Sequence, residues 1–443
     1  MTSSPQGGLL LGNLNQVRKD PLGFFSMCAR EHGDFVPLRF GPKRGVFLNN
    51  PDYIAYIMDE HPDKFVKGPG ANAMKVVFGN GLLLSEGKVW QRQHDMALPA
   101  QDEKHVRSHV TIMVDFASRM IGSWSDGQPI DIHGEMMLLA LQQMAKIFFD
   151  VDITQDVNKE FGEALGQLQE RAAATLDNLL LPAPQSLPTA RNRRLGKVMR
   201  RFDDMLYELI KQRQVDGKDH GDFLSVMLAA RDQGGKPMSH KQLRDDIVTI
   251  ILSTETIPLT LMYAVYLLST HANIQQPVAE EVDKVIGDRA PSVADQESLP
   301  LVQKVIMETL RLYPPIYATD RIALENLDID GHRVDKGTTL FSCQWVMHRD
   351  PRFYEDPEGF RPSRWTSEFM RGLPKYAYFP YGAGPRRCYG EPLGISGTLV
   401  GLATLIQACR FTLVPGETLD IKPELIIRPK HPIMVTVNKR HSA

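Results

Sequence analysis

The sequence predicts a mainly α-helical protein with small β-sheets, an α+β chain, on two observations. Apolar residues recur at three- and four-residue spacing over long stretches, which is the period of an amphipathic helix. Two-residue alternation, typical of strands, is confined to shorter pieces. The predicted strands lie near 34–48, 326–341 and 425–438. The predicted helices cover 103–123, 131–149, 156–178, 192–214, 240–270 and 272–286.

We expect these elements to form a single domain over residues 1–443. Proline and glycine punctuate 182–188 and 351–362, which predicts loops there. No linker is long or polar enough to separate two domains. The chain is 42% hydrophobic and 23% charged with a net charge of −2, as in soluble globular proteins. That balance gives no reason to expect nucleic-acid binding or attraction to a membrane surface.

The cysteines and the N-terminus indicate the compartment. The four cysteines form no CxxC pair, which argues against a disulfide framework or a zinc knuckle and fits a reducing cytosol. The longest early apolar run, Leu9–Leu11, is far too short for a signal peptide or a membrane anchor. We therefore expect a soluble, cytoplasmic protein without a membrane anchor.

One cysteine lies in a glycine-rich loop, Tyr381-Gly-Ala-Gly-Pro-Arg-Arg-Cys-Tyr-Gly390. Near a helix N-terminus, the helix dipole and free backbone N–H groups favour the thiolate form of Cys388. The setting predicts a metal ligand or a nucleophile, although a lone cysteine is more commonly a small buried hydrophobe. Arg386, two residues earlier, could hold an anionic cofactor group. A dinucleotide loop is excluded, because no third glycine follows at the required spacing.

Two further motifs precede this loop. Glu308-Thr-Leu-Arg311 lies in a helix-like run, so the two charged side chains share a face and can pair. A solvated surface pair of little energetic value is the alternative. Downstream comes Phe360-Arg-Pro-Ser-Arg364-Trp365, shortly before the cysteine loop.

The apolar run Ile247–Leu268 is interrupted by Ser253-Thr-Glu-Thr256. Serine and threonine hydroxyls can bond back to the helix backbone, so they need no function there. That explanation does not cover Glu255, since a carboxylate in the middle of an apolar helix is costly to bury.

Together and in this order, these motifs resemble the cytochrome P450 family of haem-thiolate enzymes, and the resemblance covers nearly the whole chain. It implies the cytochrome P450 fold, a triangular helical prism with haem b between the oxygen-site helix and the cysteine-loop helix. Cys388 would be the axial ligand of the haem iron. Glu308, Arg311 and Arg364 would form a buried triad behind the haem. Breaking the triad should prevent folding or haem uptake, because an unpaired buried charge is costly.

The resemblance also implies partners for the haem propionates. The matching positions here are Trp90, His94, Arg321 and Arg386. His94 stands where the family usually has arginine, and a neutral imidazole still donates one hydrogen bond. Arg92 could compensate, although it points to another face if this stretch is helical. Core packing and surface charge are the alternative roles for Trp90 and Arg321.

Glu255 and Thr256 match the acid–alcohol pair with which the family delivers protons to the oxygen site. The sequence departs from the pattern at Ser253, normally glycine, and at Ile257, normally a second hydroxyl residue. Pro258 then follows. Because proline lacks an N–H and clashes with the carbonyl four residues back, here Thr254, we expect Pro258 to open the helix at this point.

Tyr381 is a departure within the cysteine loop, because the family normally has phenylalanine seven residues before the ligand. Its ring can still shield the thiolate. Its hydroxyl needs a hydrogen-bond partner and could alter the redox potential.

The resemblance implies a soluble, bacterial-type monooxygenase that inserts one oxygen atom from O2 into a small lipophilic substrate, such as a fatty acid or terpenoid. We expect a monomer with no fused reductase, so electrons would pass from NAD(P)H through a separate ferredoxin or flavodoxin with its reductase. The expected pocket includes Met74, Val77, Phe78, Leu82, Leu83, Ile250, Ile251, Ser253, Ile257, Ile316 and Ala318.

Two alternatives remain open on the sequence. One is a haem-thiolate peroxygenase or isomerase that needs no redox partner. The other is a haem-based sensor or ligand-binding protein without turnover. The retained pair Glu255–Thr256 argues against both.

Overall fold

A computed structural model describes residues 4–176 and 189–440. The predicted loop at 182–188 and the last two residues of the predicted helix 156–178 lie outside this range. The helices are α1 (Leu14–Lys19), α2 (Pro21–His32), α3 (Pro51–Ala55), α4 (Pro69–Phe78), α5 (Gly87–Ala97), α6 (Glu103–Ser123), α7 (Ile132–Phe149), α8 (Lys159–Leu176), α9 (Ala190–Asp216), α10 (Phe223–Ala229), α11 (His240–Ser253), α12 (Thr256–Thr270), α13 (Ala272–Ile286), α14 (Pro300–Leu312), α15 (Gln344–Met347), α16 (Ser367–Gly372) and α17 (Glu391–Ala408).

Within residues 4–176 and 189–440 the strands are short and form four small sheets. They are β1 (Phe35–Phe40), β2 (Lys43–Leu48), β3 (Phe65–Lys67), β4 (Gln128–Asp131), β5 (Thr319–Ala323), β6 (Leu327–Ile329), β7 (His332–Val334), β8 (Thr339–Ser342), β9 (Cys409–Leu413), β10 (Ile421–Pro423), β11 (Ile427–Pro429) and β12 (Met434–Lys439). The mainly α class with small sheets is therefore confirmed.

The helices predicted at 103–123, 131–149 and 272–286 are confirmed to within one residue as α6, α7 and α13. The first two have a clear physical start signal. The Asp102 side chain accepts from the amide of His105, and the Asp131 side chain accepts from the amide of His133. Such side-chain caps satisfy amides that a helix start leaves without partners.

The backbone packs as two compact units. The first comprises Met1–Ala73, Met307–Cys388 and Ile421–Arg428, and the second comprises Met74–Ile306, Tyr389–Asp420 and Pro429–Ala443. Each unit thus combines three separate stretches of the chain. The single domain over 1–443 stays a prediction.

The first unit is built on a five-stranded sheet of order β1-β2-β8-β5-β3. β2 and β8 run parallel, with Phe47 opposite Phe341, and the other pairs are antiparallel. α2 covers part of this sheet through Phe25, whose ring lies 5.1 Å from that of Phe47. The side chain of Asp20 starts α2 by accepting from the amide of Gly23.

The second unit is a helical core of α6, α7, α12 and α17, with a three-stranded sheet of order β4-β12-β9. α17 approaches its neighbours closely because glycines face them. A Cβ at Gly397 would overlap Met113 of α6, and one at Gly401 would press against Leu261 of α12. Glycine at these positions therefore lets α17 pack closely on both α6 and α12.

One helical segment among the described residues, His240–Thr270, is long and apolar enough to cross a membrane. Its most apolar stretch is 61% buried. The core helix of a globular protein passes the same test, so the segment is weak evidence for a membrane span.

Candidate functional site

The cysteine loop, from Tyr381 to Cys388, is a compact turn within the first unit. The amide of Cys388 donates to the carbonyl of Tyr381 at 2.8 Å, and the amide of Arg387 donates to Gly384 at 3.0 Å. Gly384 has φ +63°, and a Cβ there would overlap the Met58 carbonyl oxygen of the π-helical turn Tyr56–Glu60. Only glycine tolerates both the positive φ and the close approach to Met58, so the loop packs directly against that turn.

Cys388 differs from the other three cysteines, all of which lie among the described residues. Its side chain is exposed, whereas Cys28, Cys343 and Cys409 are buried. Burial raises the pKa of the Cys28 and Cys343 thiols to about 12 and that of Cys409 to about 11. Buried neutral thiols are inert as ligands and nucleophiles, so Cys388 alone offers an accessible sulfur.

Behind the loop, the predicted triad forms as expected, buried in the first unit. Arg311 donates to Glu308 from Nε at 2.9 Å and from Nη2 at 2.8 Å. Arg364 Nε donates to the same carboxylate at 3.0 Å. The indole of Trp365 and the amide of Arg361 each add a bond of 2.9 Å. Five donors therefore balance one buried carboxylate, as burial of charge requires.

His348 links this cluster to Phe379, two residues before the cysteine loop, a role that the sequence did not reveal. Its carbonyl accepts from Arg311 Nη1 at 3.0 Å, and its Nε2 accepts from the amide of Phe379 at 2.9 Å. Burial, with the charges of Arg311 and Arg349, lowers the His348 pKa to about 3. The ring is therefore neutral, and the Nε2 acceptor requires its proton on Nδ1.

The other two predicted cofactor residues of the first unit are arginines that are not fully buried. Arg321 lies in β5, and its Nη1 donates to the carbonyl of Asp320 at 2.9 Å. Arg386 ends the short 3-10 turn Gly384–Arg386. Both residues are partly exposed, and the contact between Arg321 and Asp320 keeps the Arg321 guanidinium close to its own strand.

The remaining cofactor residues, Trp90 and His94, lie one turn apart on α5 in the second unit. Their rings are 5.0 Å apart, and the ring of Tyr389, the residue after the cysteine, lies 6.4 Å from His94. The Tyr389 hydroxyl donates to the carbonyl of Ala97 at 2.5 Å. The end of α5 is therefore hydrogen-bonded to Tyr389, two residues before α17 begins.

Arg92 does not compensate for the missing arginine at position 94. Its guanidinium donates to Asp232 at 2.7 Å, to Gln242 at 2.9 Å and to the carbonyl of Pro237 at 3.2 Å. These contacts commit Arg92 to the α11 side of α5, and the hypothesis that it replaces the arginine is wrong.

The predicted opening at Pro258 is confirmed, because α11 ends at Ser253 and α12 begins at Thr256. Proline cannot donate to the Thr254 carbonyl, which accepts from the Ile257 amide instead, at a long 3.4 Å. Glu255 and Thr256 lie at this break and are half-buried. The Thr256 hydroxyl donates to the carbonyl of Ser253 at 3.3 Å.

The predicted site residues are therefore divided between the two units. Cys388, Tyr381, Arg386 and Arg321 belong to the first unit. Trp90, His94, Glu255 and Thr256 belong to the second.

Comparison with known proteins identifies the family. The family model described as cytochrome P450 matches residues 3–437. A relative named cyclooctat-9-en-7-ol 5-monooxygenase, from Streptomyces melanosporofaciens, is 30% identical over 94% of this chain and 91% of its own length. Pentalenene oxygenase from Streptomyces avermitilis is 27% identical over 97% and 95%.

A solved structure, the haem domain of cytochrome P450DA, superposes with a TM-score of 0.89 at 24% identity. It covers 99% of this chain, and this chain covers 97% of it. The common fold and the family match agree with the buried triad and the exposed loop cysteine. The chain belongs to the cytochrome P450 family.

Proposed function

We propose that this cytochrome P450 inserts one oxygen atom from O2 into a small terpenoid. We further propose that a ferredoxin or flavodoxin with its reductase delivers the electrons from NAD(P)H, and that the enzyme is a cytoplasmic monomer. As a family member, the chain is a haem-thiolate oxidoreductase that incorporates oxygen. What the proposal adds is the substrate class, the electron source and the roles of individual residues.

The donor chemistry of the chain fits a haem. A thiolate is a soft ligand suited to haem iron, and Cys388 is the one cysteine whose sulfur is exposed. The backbone holds its loop in shape, since the Cys388 amide donates to the Tyr381 carbonyl. Trp90, His94, Arg321 and Arg386 would hold the propionates. When bound, the haem supplies the activation of O2, which thiolate ligation promotes.

The break between α11 and α12 supports a proton-delivery role for Glu255 and Thr256. A hydroxyl locked into a strong helical bond is a poor proton carrier. The Thr256 hydroxyl makes only a 3.3 Å bond to Ser253, whereas that of Thr260, one turn on, makes a 2.8 Å bond to Thr256. We propose that Thr256 passes a proton at its Oγ1 and that the Glu255 carboxyl replenishes it.

The substrate class rests on the relatives and on the apolar side chains of the predicted pocket. The two relatives described above are named for oxidation of cyclooctat-9-en-7-ol and pentalenene. Of the predicted pocket residues, Val77, Phe78, Leu82 and Ile251 are buried in the core of the second unit. Met74, Leu83, Ile250 and Ile257 remain partly exposed and are mostly aliphatic. They suit a hydrocarbon skeleton better than a charged head group.

Reconstitution tests the proposal. The purified protein with a surrogate ferredoxin and ferredoxin reductase should consume NADPH and yield a hydroxylated product from a member of a cyclic terpene panel. The same panel should convert the ferric haem from low to high spin on binding. Spin shifts with fatty acids but not terpenes would overturn the substrate class. Turnover driven by peroxide alone, with none from NADPH, would replace the monooxygenase by a peroxygenase.

A further inference from the structure

We propose that Asp246 is a positioning residue that holds the propionate-binding helix α5 on the oxygen-site helix α11, and that it does so as the carboxylate. The inference rests on the proposed roles of Trp90 and His94 in haem binding. Asp246 lies within the second unit and is 1% exposed.

Asp246 accepts two hydrogen bonds, one at each carboxylate oxygen. Its Oδ1 accepts from the amide of Leu82 at 2.8 Å, and its Oδ2 accepts from Gln242 Nε2 at 3.2 Å. Leu82 belongs to the turn that precedes α5, and Gln242 lies one turn earlier on α11. Both carboxylate oxygens therefore act as acceptors, each towards a different element.

Arg92 fixes the orientation of the Gln242 side-chain amide. Arg92 Nη1 donates to Gln242 Oε1 at 2.9 Å, so the amide nitrogen must face Asp246. Arg92 cannot accept a hydrogen bond, and its Nε is held by Asp232 at 2.7 Å. Rotating the Gln242 amide would place two donors face to face. The hydrogen bonds therefore run in one direction, with Arg92 donating to Gln242 and Gln242 donating to Asp246.

A parallel set of contacts strengthens this connection. Gln93, the next residue on α5, donates to the Asn80 carbonyl at 2.9 Å, and the Asn80 amide donates to Asp245 at 3.0 Å. The turn packs closely on α11, because a Cβ at Gly79 would overlap the Asp245 carboxylate and one at Gly81 would overlap Thr249. Neighbouring acids on α11 therefore hold both sides of the turn.

An aspartate at position 246 is informative because burial disfavours its charged form. Burial raises the Asp246 pKa to about 7, and the nearby Asp245 adds to the effect, while Gln242, the Leu82 amide and Arg92 oppose it. An asparagine would fill the same space without that cost. Asparagine, however, would present one donor where two acceptors are needed, which explains why the carboxylate is required.

α5 also carries Trp90 and His94, with His94 6.4 Å from the Tyr389 ring. Arg92 and Gln93 lie between those two residues in sequence and bond to α11 and the turn. Loosening the Asp246 network therefore frees the helix that would hold a propionate. The consequence is faster haem loss, with little change at Cys388.

The test uses the holoenzyme and two coupled substitutions. Asp246→Asn should accelerate haem transfer to apomyoglobin about tenfold, the effect of losing one hydrogen bond to a charged group. It should also speed hydrogen exchange of amides in 80–84. Adding Gln242→Glu should restore both readouts to within about twofold, because the introduced carboxylate accepts from Arg92 and from the new amide.

Asp222→Asn is the matched control. Asp222 is likewise buried, and it pairs with Arg213 at 2.8 Å and caps α10. This variant should lower the melting temperature without changing exchange at 80–84. Equal haem loss in Asp246→Asn and wild type, or no rescue by Gln242→Glu, would overturn the inference. A protein that binds haem but never oxidises a terpene would instead refute the proposed function and leave the inference standing.

Discussion

The indole nitrogen of Trp365 donates to Glu308 Oε2 at 2.9 Å, and both side chains are almost wholly buried. The carboxylate thus receives a donor that neither arginine side chain supplies. Its other donors come from Arg311, Arg364 and the Arg361 amide. The relationship explains why the motif containing Arg364 ends in tryptophan.

Trp365→Phe should therefore destabilise the protein by about 3 kcal/mol, because it removes a hydrogen bond to a buried charge and leaves a small void. Chemical denaturation followed by far-ultraviolet circular dichroism measures this. The control is Trp124→Phe, which removes a similar 3.0 Å bond to the less buried Glu135. Equal losses in the two variants would show that burial of Glu308 adds nothing.

His348 predicts an acid sensitivity. Its pKa is about 3 in the folded protein, well below the usual value of 6.5. The unfolded chain thus binds a proton that the folded chain rejects, and stability is lost as pH falls below about 6.5, by up to about 1.4 kcal/mol per pH unit.

His348→Gln should reduce the slope of unfolding free energy between about pH 6.5 and about pH 5, since Gln can accept from the Phe379 amide without titrating. The slope will persist in part, because burial also lowers the His109 pKa, to about 4. The exposed His431→Gln is the control. An undiminished slope in His348→Gln would contradict a neutral His348 in the folded state.

Pro258→Ala restores an N–H that can reach the Thr254 carbonyl. We expect the break between α11 and α12 to close, with slower hydrogen exchange at 257–259 and a gain of about 1 kcal/mol in stability. Pro277→Ala, inside α13, controls for removal of a helical proline elsewhere. Unchanged exchange at 257–259 would show that the break has another cause.

Thr256→Ala should uncouple NADPH consumption from product formation and release peroxide, because the proposed proton carrier is lost. Hydroxylated product and peroxide are measured together against NADPH oxidised. Thr260→Ala, which removes the 2.8 Å bond to the Thr256 carbonyl, should leave coupling intact. Tight coupling in Thr256→Ala would remove this residue from the proton route.

Cys388→Ser should abolish the red-shifted Soret band of the reduced carbon monoxide complex, since serine supplies no thiolate. Cys409→Ser, which alters a buried thiol, should keep the band. Survival of the band in Cys388→Ser would exclude Cys388 as the iron ligand.

The sequence predicted the long helices well because their apolar faces repeat over many turns, as in α6 and α7. It missed the three-residue strand β10, and it missed β3, β4, β5 and β9, short strands whose partners are distant in the chain, such as Phe65 opposite Ala323. Motif residues such as Glu308 and Cys388 were found because their spacing is local. His348 and Asp246 were not, since each depends on contacts made only after folding.

The burial of three thiols makes this a single-cysteine protein towards electrophiles. Under native conditions, iodoacetamide should modify one site per chain, and iron ligation should protect that site. Alkylated mass would then count the molecules that lack haem in any preparation. The reactivity of Cys388 towards iodoacetamide should therefore fall as the fraction of protein with bound haem rises.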